Sequence, residues 1–310
     1  MEIRSRSMRV AILGAGGVGG YFGGLLARAG HSVALLARGA HLEALRERGL
    51  EVRTPEGPFT VPVQAADRPE ELGSVDLAII AVKNYSLREI VPAARLLAEK
   101  GADVLPLLNG VEAADRLIAS GVPADRVLGG LTEISATRIA PGVVERRSPF
   151  QRVVVGELAG GLSERAQRIA AAFEEAGATG KASEDITLDL WRKLVFIASA
   201  SAACGLARSS IGPIRDAPLG RLLIERALRE VVAVGRALGV ALTEEDVSRP
   251  LSFIDAMAPG IKPSFLLDLE SGGATEADDL FGAVSRLGRQ AGVETPVHDV
   301  ATAVLGVKRS

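Results

Sequence analysis

Arg9-Val10-Ala11-Ile12-Leu13-Gly14-Ala15-Gly16-Gly17-Val18-Gly19 decides how the first half of this chain folds. The four apolar residues after Arg9 form a strand-type run, and residues 17–29 that follow have helical spacing. Gly14, Gly16 and Gly19 therefore make a G-x-G-x-x-G arrangement in the strand, turn and helix context that gives it physical meaning. The first glycine permits the tight turn, the second lets a pyrophosphate approach the backbone, and the third lets the helix close on the strand. Amides at the helix start then face the phosphate charge, so Gly14, Ala15, Gly16, Gly17, Val18 and Gly19 are the expected dinucleotide contacts. Without the flanking strand and helix, the same glycines would spell only a flexible turn.

The next strand-type run, 33–36, should end at the adenosine ribose. A cofactor lacking the 2′-phosphate favours Asp or Glu there, whereas this chain offers Ala37 and then Arg38, 19 positions beyond Gly19. A guanidinium pairs with a 2′-phosphate, which favours NADPH over NADH; the plainer alternative is an Arg at a sheet edge. Lys83 follows the run 77–82 and Asn109 follows 104–108, where polar side chains of an open parallel sheet reach its ligand. Taken alone, Asn109-Gly110 fits ordinary turn chemistry equally well.

Farther along, strand-type runs at 77–82, 104–108 and 153–155 alternate with helix-type stretches at 42–48, 86–100 and 163–176. Gly30, Gly49, Gly101 and Gly177 stand where helix-ending glycines belong. After about residue 184 the pattern changes to helices only, at 185–207, 219–238, 243–257 and 275–291. The expected fold is an α/β Rossmann-type dinucleotide-binding domain, 1–182, followed by an all-α C-terminal domain, 183–310, with no internal repeat.

Composition limits the chemistry. In 310 residues, 36 basic against 38 acidic side chains leave a net charge of -2, so no global field favours nucleic acid or an anionic membrane. Three histidines, His31, His41 and His298, and one cysteine, Cys204, cannot assemble a disulfide framework or a Cys/His metal site, which fits a reducing, cytoplasmic setting. The histidines read as packing or surface groups, and Cys204 as a small packing residue in an apolar helix. Only six of the basic residues are lysines: Lys83, Lys100, Lys181, Lys193, Lys262 and Lys308. No targeting segment is evident, and Met8 stands as an alternative initiator to Met1. The apolar run 194–207 is shorter than the roughly 20 residues that span a bilayer and reads as a buried helix.

Lys193 enters that apolar run within Trp191-Arg192-Lys193-Leu194. Partial desolvation would disfavour its ammonium form and make it a better proton donor near neutral pH. A lysine in this position, considered alone, is more often a snorkelling surface residue. Taken together, the glycine loop, Ala81-Val82-Lys83, Leu108-Asn109-Gly110, Trp191-Arg192-Lys193-Leu194, Lys262-Pro263-Ser264 and Ala274-Thr275-Glu276 resemble the ketopantoate reductase family. The matches run in order from Gly14 to Glu276, and 292–296 continues them, so nearly the whole chain is covered.

The resemblance implies NADPH-dependent reduction of ketopantoate, a 2-oxo acid, to (R)-pantoate in coenzyme A synthesis, in a cleft between the two domains. It implies that Lys193 is the proton donor to the ketone oxygen as hydride arrives. It places Ser264, with the backbone of Lys262 and Pro263, at the substrate. Glu276 falls near cofactor and substrate, Asn109 and Lys83 on the cofactor side, and Ser135 of Ile134-Ser135-Ala136 at a cofactor contact. It also admits a homodimer. One departure matters: known members carry Asn four and eight residues after the lysine, on one helical face, and here those positions are Ile197 and Ser201. Ile cannot make such a hydrogen bond and Ser makes a shorter one, which opens a second expectation, the same chemistry on a more apolar 2-oxo acid. Two further alternatives are a non-catalytic NADPH-binding protein and a lysine-dependent dehydrogenase of 3-hydroxy acids or polyol phosphates; Lys262-Pro263-Ser264 and Thr275-Glu276 weigh against the latter.

Overall fold

Side-chain alternation in the first strand, β1 (Arg9–Leu13), sets the layers of the N-terminal half in a computed structural model that describes residues 7–307. Met1 and Lys308 lie outside the described residues. Val10 and Ile12 enter one apolar cluster while Ala11 and Leu13 enter another, so both faces of the sheet are covered, as a parallel sheet requires. The described residues divide into two compact units: one runs to Leu108 and resumes over Ala113–Ile186, and the other joins Asn109–Glu112 to the chain from Thr187 onward.

In the first unit β1 is followed by α1 (Gly17–Arg28), β2 (Ser32–Leu36), α2 (Gly39–Arg48), β3 (Leu50–Arg53), β4 (Phe59–Val61), β5 (Gln64–Ala66) and β6 (Leu77–Ile80). Then come α3 (Leu87–Glu99), β7 (Asp103–Pro106), α4 (Ala113–Ala119), β8 (Gly129–Ala140), β9 (Val143–Gly156), α5 (Glu164–Glu175) and β10 (Thr179–Ser183). Five strands form a sheet in the order β5-β2-β1-β6-β7, every neighbouring pair parallel. The glycines expected to end helices all do so with positive φ: Gly30 at 95°, Gly49 at 75°, Gly101 at 99° and Gly177 at 89°.

A second sheet, β10-β9-β3-β4 with β8 paired to β9, goes beyond the sequence expectation of a single parallel sheet. It is mixed: β8 and β9 form a long antiparallel hairpin turning at Pro141-Gly142, and β3 pairs parallel with β9. Of its strands, the apolar run 153–155 marks only the end of β9. Helix α1 packs between the sheets, and its glycines permit this. A Cβ at Gly23 would stand 3.0 Å from Ile12 of β1, while Cβ atoms at Gly20 and Gly24 would meet Val144 of β9 at 2.7 Å and Val52 of β3 at 2.5 Å.

The second unit contains no strand among the described residues. Its helices are α6 (Ile186–Ala207), α7 (Ile211–Asp216), α8 (Pro218–Ala237), α9 (Glu245–Ala256), α10 (Ser264–Glu270), α11 (Ala283–Ala291) and α12 (Pro296–Leu305). The expected helix 275–291 is in fact a π-helical turn, Asp278–Gly282, running into α11. Helix α6, at 22 residues, exceeds its apolar run and is long and apolar enough to cross a membrane; most of that stretch is nevertheless buried within the fold, as in a core helix. Leu194, Val195, Ala198 and Ala202 of α6 join Ile224, Leu228 and Val231 of α8 in one core, where Phe265 and Phe281 meet edge to face at 4.8 Å.

Candidate active site

The glycine loop lies where the strand order reverses, between β1 and β6, the place at which open parallel sheets bind ligands beyond their strand ends. Gly14 has φ 113°, and a Cβ there would press on Val82 Cγ1 at 2.6 Å and on the Ala81 backbone at 2.9 Å. At Gly19 a Cβ would overlap the Gly14 carbonyl oxygen, and at Gly17 the carbonyl oxygen of Ala136 in β8. These three glycines are required by the chain's own atoms. Gly16 is different: a Cβ built there meets nothing within 4 Å, although it caps the start of α1. Open space at a helix N-terminus is what a phosphate group needs, so the loop fits a dinucleotide.

Around the loop, Arg38 follows β2 after Ala37 and occupies the N-terminal cap position of α2 without a side-chain cap hydrogen bond; its side chain is 75% exposed, and its 3.8 Å pairing with Glu89 is a surface contact of small energetic weight. Lys83 is half-buried after β6. Ser135 is exposed at the irregularity of the β8 ladder, one residue from the Ala136 that meets Gly17, and its amide donates to Ser148 Oγ at 2.9 Å.

One residue that the sequence marked only as a packing or surface group reaches the loop. His41 of α2 is buried, with Nε2 2.8 Å from the Ala15 carbonyl oxygen and Nδ1 accepting from the Gly142 amide at 2.9 Å. Burial pushes its pKa below the ordinary value, as it does for His31, whose Nδ1 accepts from the Met8 amide. Nothing in local spacing signals the His41 contacts, because Gly142 is 101 residues away.

In the second unit, Asn109 Nδ2 donates to Glu276 Oε2 at 3.1 Å, and Glu276 is buried. Two neighbours fix the same segment: Gly110, at φ 90°, approaches the Asp279 carbonyl, and Glu112 pairs with Arg286 of α11 at 2.9 Å. Lys193 lies half-buried on α6, followed one and two helical steps later by half-buried Ile197 and buried Ser201. Its neighbour Arg192 turns to Asp246 of α9 at 2.8 Å. Ser264 is exposed at the first position of α10. The Lys262 side chain makes a half-exposed ion pair with Glu270 at 2.8 Å.

The other scarce groups are built into the core. Burial pushes the Cys204 thiol up to about 12, which removes it as a nucleophile at neutral pH. His298 places Nδ1 2.7 Å from Glu230 Oε2, and the same carboxylate accepts the Val297 and His298 amides at the start of α12. Among the described residues no group of three or more His, Cys, Asp or Glu is placed to hold a metal ion.

Comparison with known proteins matches residues 10–160 to the family described as ketopantoate reductase PanE/ApbA and residues 185–309 to its C-terminal counterpart. The chain belongs to the ketopantoate reductase family. A 2-dehydropantoate 2-reductase of Halobacterium salinarum is 35% identical over 295 residues, covering 94% of this chain and 95% of the relative. The crystal structure of 2-dehydropantoate 2-reductase from Geobacter metallireducens superposes with a TM-score of 0.89 at 31% identity, covering 96% of this chain and 99% of that one. A complex of D-mandelate dehydrogenase with NADH superposes with a TM-score of 0.83 at 25% identity, covering 96% and 98%. This ketopantoate reductase family member is thus an oxidoreductase with a Rossmann-like unit and a helical unit, as the ordered motifs implied.

Proposed function

We propose that the chain reduces 2-dehydropantoate to (R)-pantoate with NADPH, in the cytoplasmic route to pantothenate and coenzyme A. The observation that carries this reading is the family match over both units, with Lys193 of the Trp191-Arg192-Lys193-Leu194 segment inside the second. NADPH supplies the hydride when bound. The loop 14–19 would hold its pyrophosphate at the α1 amides and Arg38 would pair with the 2′-phosphate, while Lys83, Asn109, Ser135 and Glu276 would each contribute a polar group toward the cofactor. Lys193 Nζ hydrogen-bonds the ketone oxygen and delivers a proton to it, stabilising the negative charge that develops on that oxygen. Ser201, Ser264 and the backbone of Lys262 hold the polar groups of the acid.

A second reading rests on Ile197, which packs against the helical core and cannot donate or accept a hydrogen bond. It directs the same chemistry to a more apolar 2-oxo acid, and the structural likeness to a D-mandelate dehydrogenase supports it. Steady-state rates with a panel of 2-oxo acids, each with NADPH and NADH, separate the two. The first reading expects the highest kcat/KM for 2-dehydropantoate with NADPH; a far higher value for an aromatic or branched acid overturns it in favour of the second.

A further inference from the structure

The bond between His41 and the glycine loop has a direction, and the direction matters for the loop's chemistry. The Gly142 amide can only donate, so Nδ1 of His41 carries no proton and accepts at 2.9 Å. A neutral imidazole then holds its proton on Nε2, which donates to the Ala15 carbonyl at 2.8 Å. The buried setting of the ring, which disfavours the charged form, agrees with this tautomer.

The Ala15 carbonyl belongs to the peptide that ends in the Gly16 amide. A trans peptide is planar, so its C=O and N–H point in opposite directions. Drawing the Ala15 oxygen toward His41 therefore turns the Gly16 N–H to the other side of the loop. Gly16 is also the loop glycine at which a Cβ would meet no protein atom. The far end of the strap is firm, since the Gly142 carbonyl accepts from Glu51 of β3 at 2.9 Å and so ties the β8–β9 turn into the second sheet.

We propose that His41 is a positioning residue for dinucleotide binding: its ring straps the Ala15 carbonyl to the β8–β9 turn and thereby aims the Gly16 amide at a phosphate oxygen. This inference rests on the dinucleotide reading of the loop. It predicts a requirement for one donor and one acceptor at position 41, which a glutamine amide supplies at nearly the same separation and leucine does not.

The test compares wild type, His41→Leu and His41→Gln by NADPH titration, thermal unfolding and steady-state kinetics. His41→Leu should raise the NADPH Kd and KM about tenfold while kcat at saturating NADPH stays near wild type, and His41→Gln should return the Kd to within about threefold. A purely structural role would instead lower kcat and the melting temperature without a selective rise in the NADPH KM. Equal NADPH affinity in wild type and His41→Leu overturns the inference alone, as does a His41→Gln protein that folds yet binds as weakly as His41→Leu. A wild-type protein that binds neither NADPH nor NADH overturns the loop reading and the inference together.

Discussion

Asn109 donates its side-chain amide to Glu276 over 3.1 Å, although 167 residues separate them in the chain. Glu276 is only 5% exposed, so removing either partner alters a polar contact largely shielded from water. If the pair acts as a unit in turnover, Asn109→Ala and Glu276→Ala should each lower kcat/KM, and the double variant should lose less than the product of the two. A coupling of about 1–2 kcal/mol is expected from the double-mutant cycle, and strictly multiplicative losses would show that the two residues act independently.

Lys193→Ala should cut turnover by about 10²-fold or more, the usual scale for removing a general acid, while leaving NADPH affinity nearly intact. Lys193→Arg should not rescue it: guanidinium keeps the charge but does not release a proton at working pH. Single-turnover rates beside NADPH titrations check both, and an unchanged rate in Lys193→Ala removes this residue from the chemistry.

Arg38 stands exposed at the end of β2, where a carboxylate would select a free ribose hydroxyl. Arg38→Asp should therefore raise the KM for NADPH by about tenfold or more and improve NADH use. Because its pairing with Glu89 is at the surface, the melting temperature should barely change. Retained preference for NADPH would mean that another cation reads the 2′-phosphate.

These positions differ in how far the sequence alone could place them. The strand, turn and helix from Arg9 to Arg28 were legible because hydrophobic alternation and glycine spacing act over a few residues. The β8–β9 hairpin was not: β8 opens on two glycines, passes from a buried start to an exposed end instead of alternating, and slips register at Ile134/Ala136 and Arg138/Ala140, so no clean period of two survives. The lysine and glycine motifs were readable as ordered family matches, and the family they point to is the one the chain belongs to. The partner of Asn109 and the two partners of His41 were not, because long-range hydrogen bonds leave no local pattern.

Gly16 and Gly17 are adjacent, yet substitution should separate binding from stability. Gly16 has φ -79° and ψ -159°, which an alanine adopts without strain, and its Cβ would enter open space. Gly16→Ala should thus melt like wild type while losing about tenfold or more in NADPH affinity, because the methyl group occupies the volume assigned to a phosphate. At Gly17 the added Cβ would overlap the backbone carbonyl oxygen of Ala136, which belongs to a paired strand and cannot rotate away as a side chain would. Helix α1 or strand β8 must shift, at a cost of about 1–3 kcal/mol, so Gly17→Ala should lower the melting temperature by several degrees in the absence of any nucleotide. Thermal unfolding without NADPH and titration with it give the two readouts. A Gly16→Ala protein that melts low but binds NADPH normally would reverse the assignment, making Gly16 a packing glycine and leaving the phosphate without a seat in this loop.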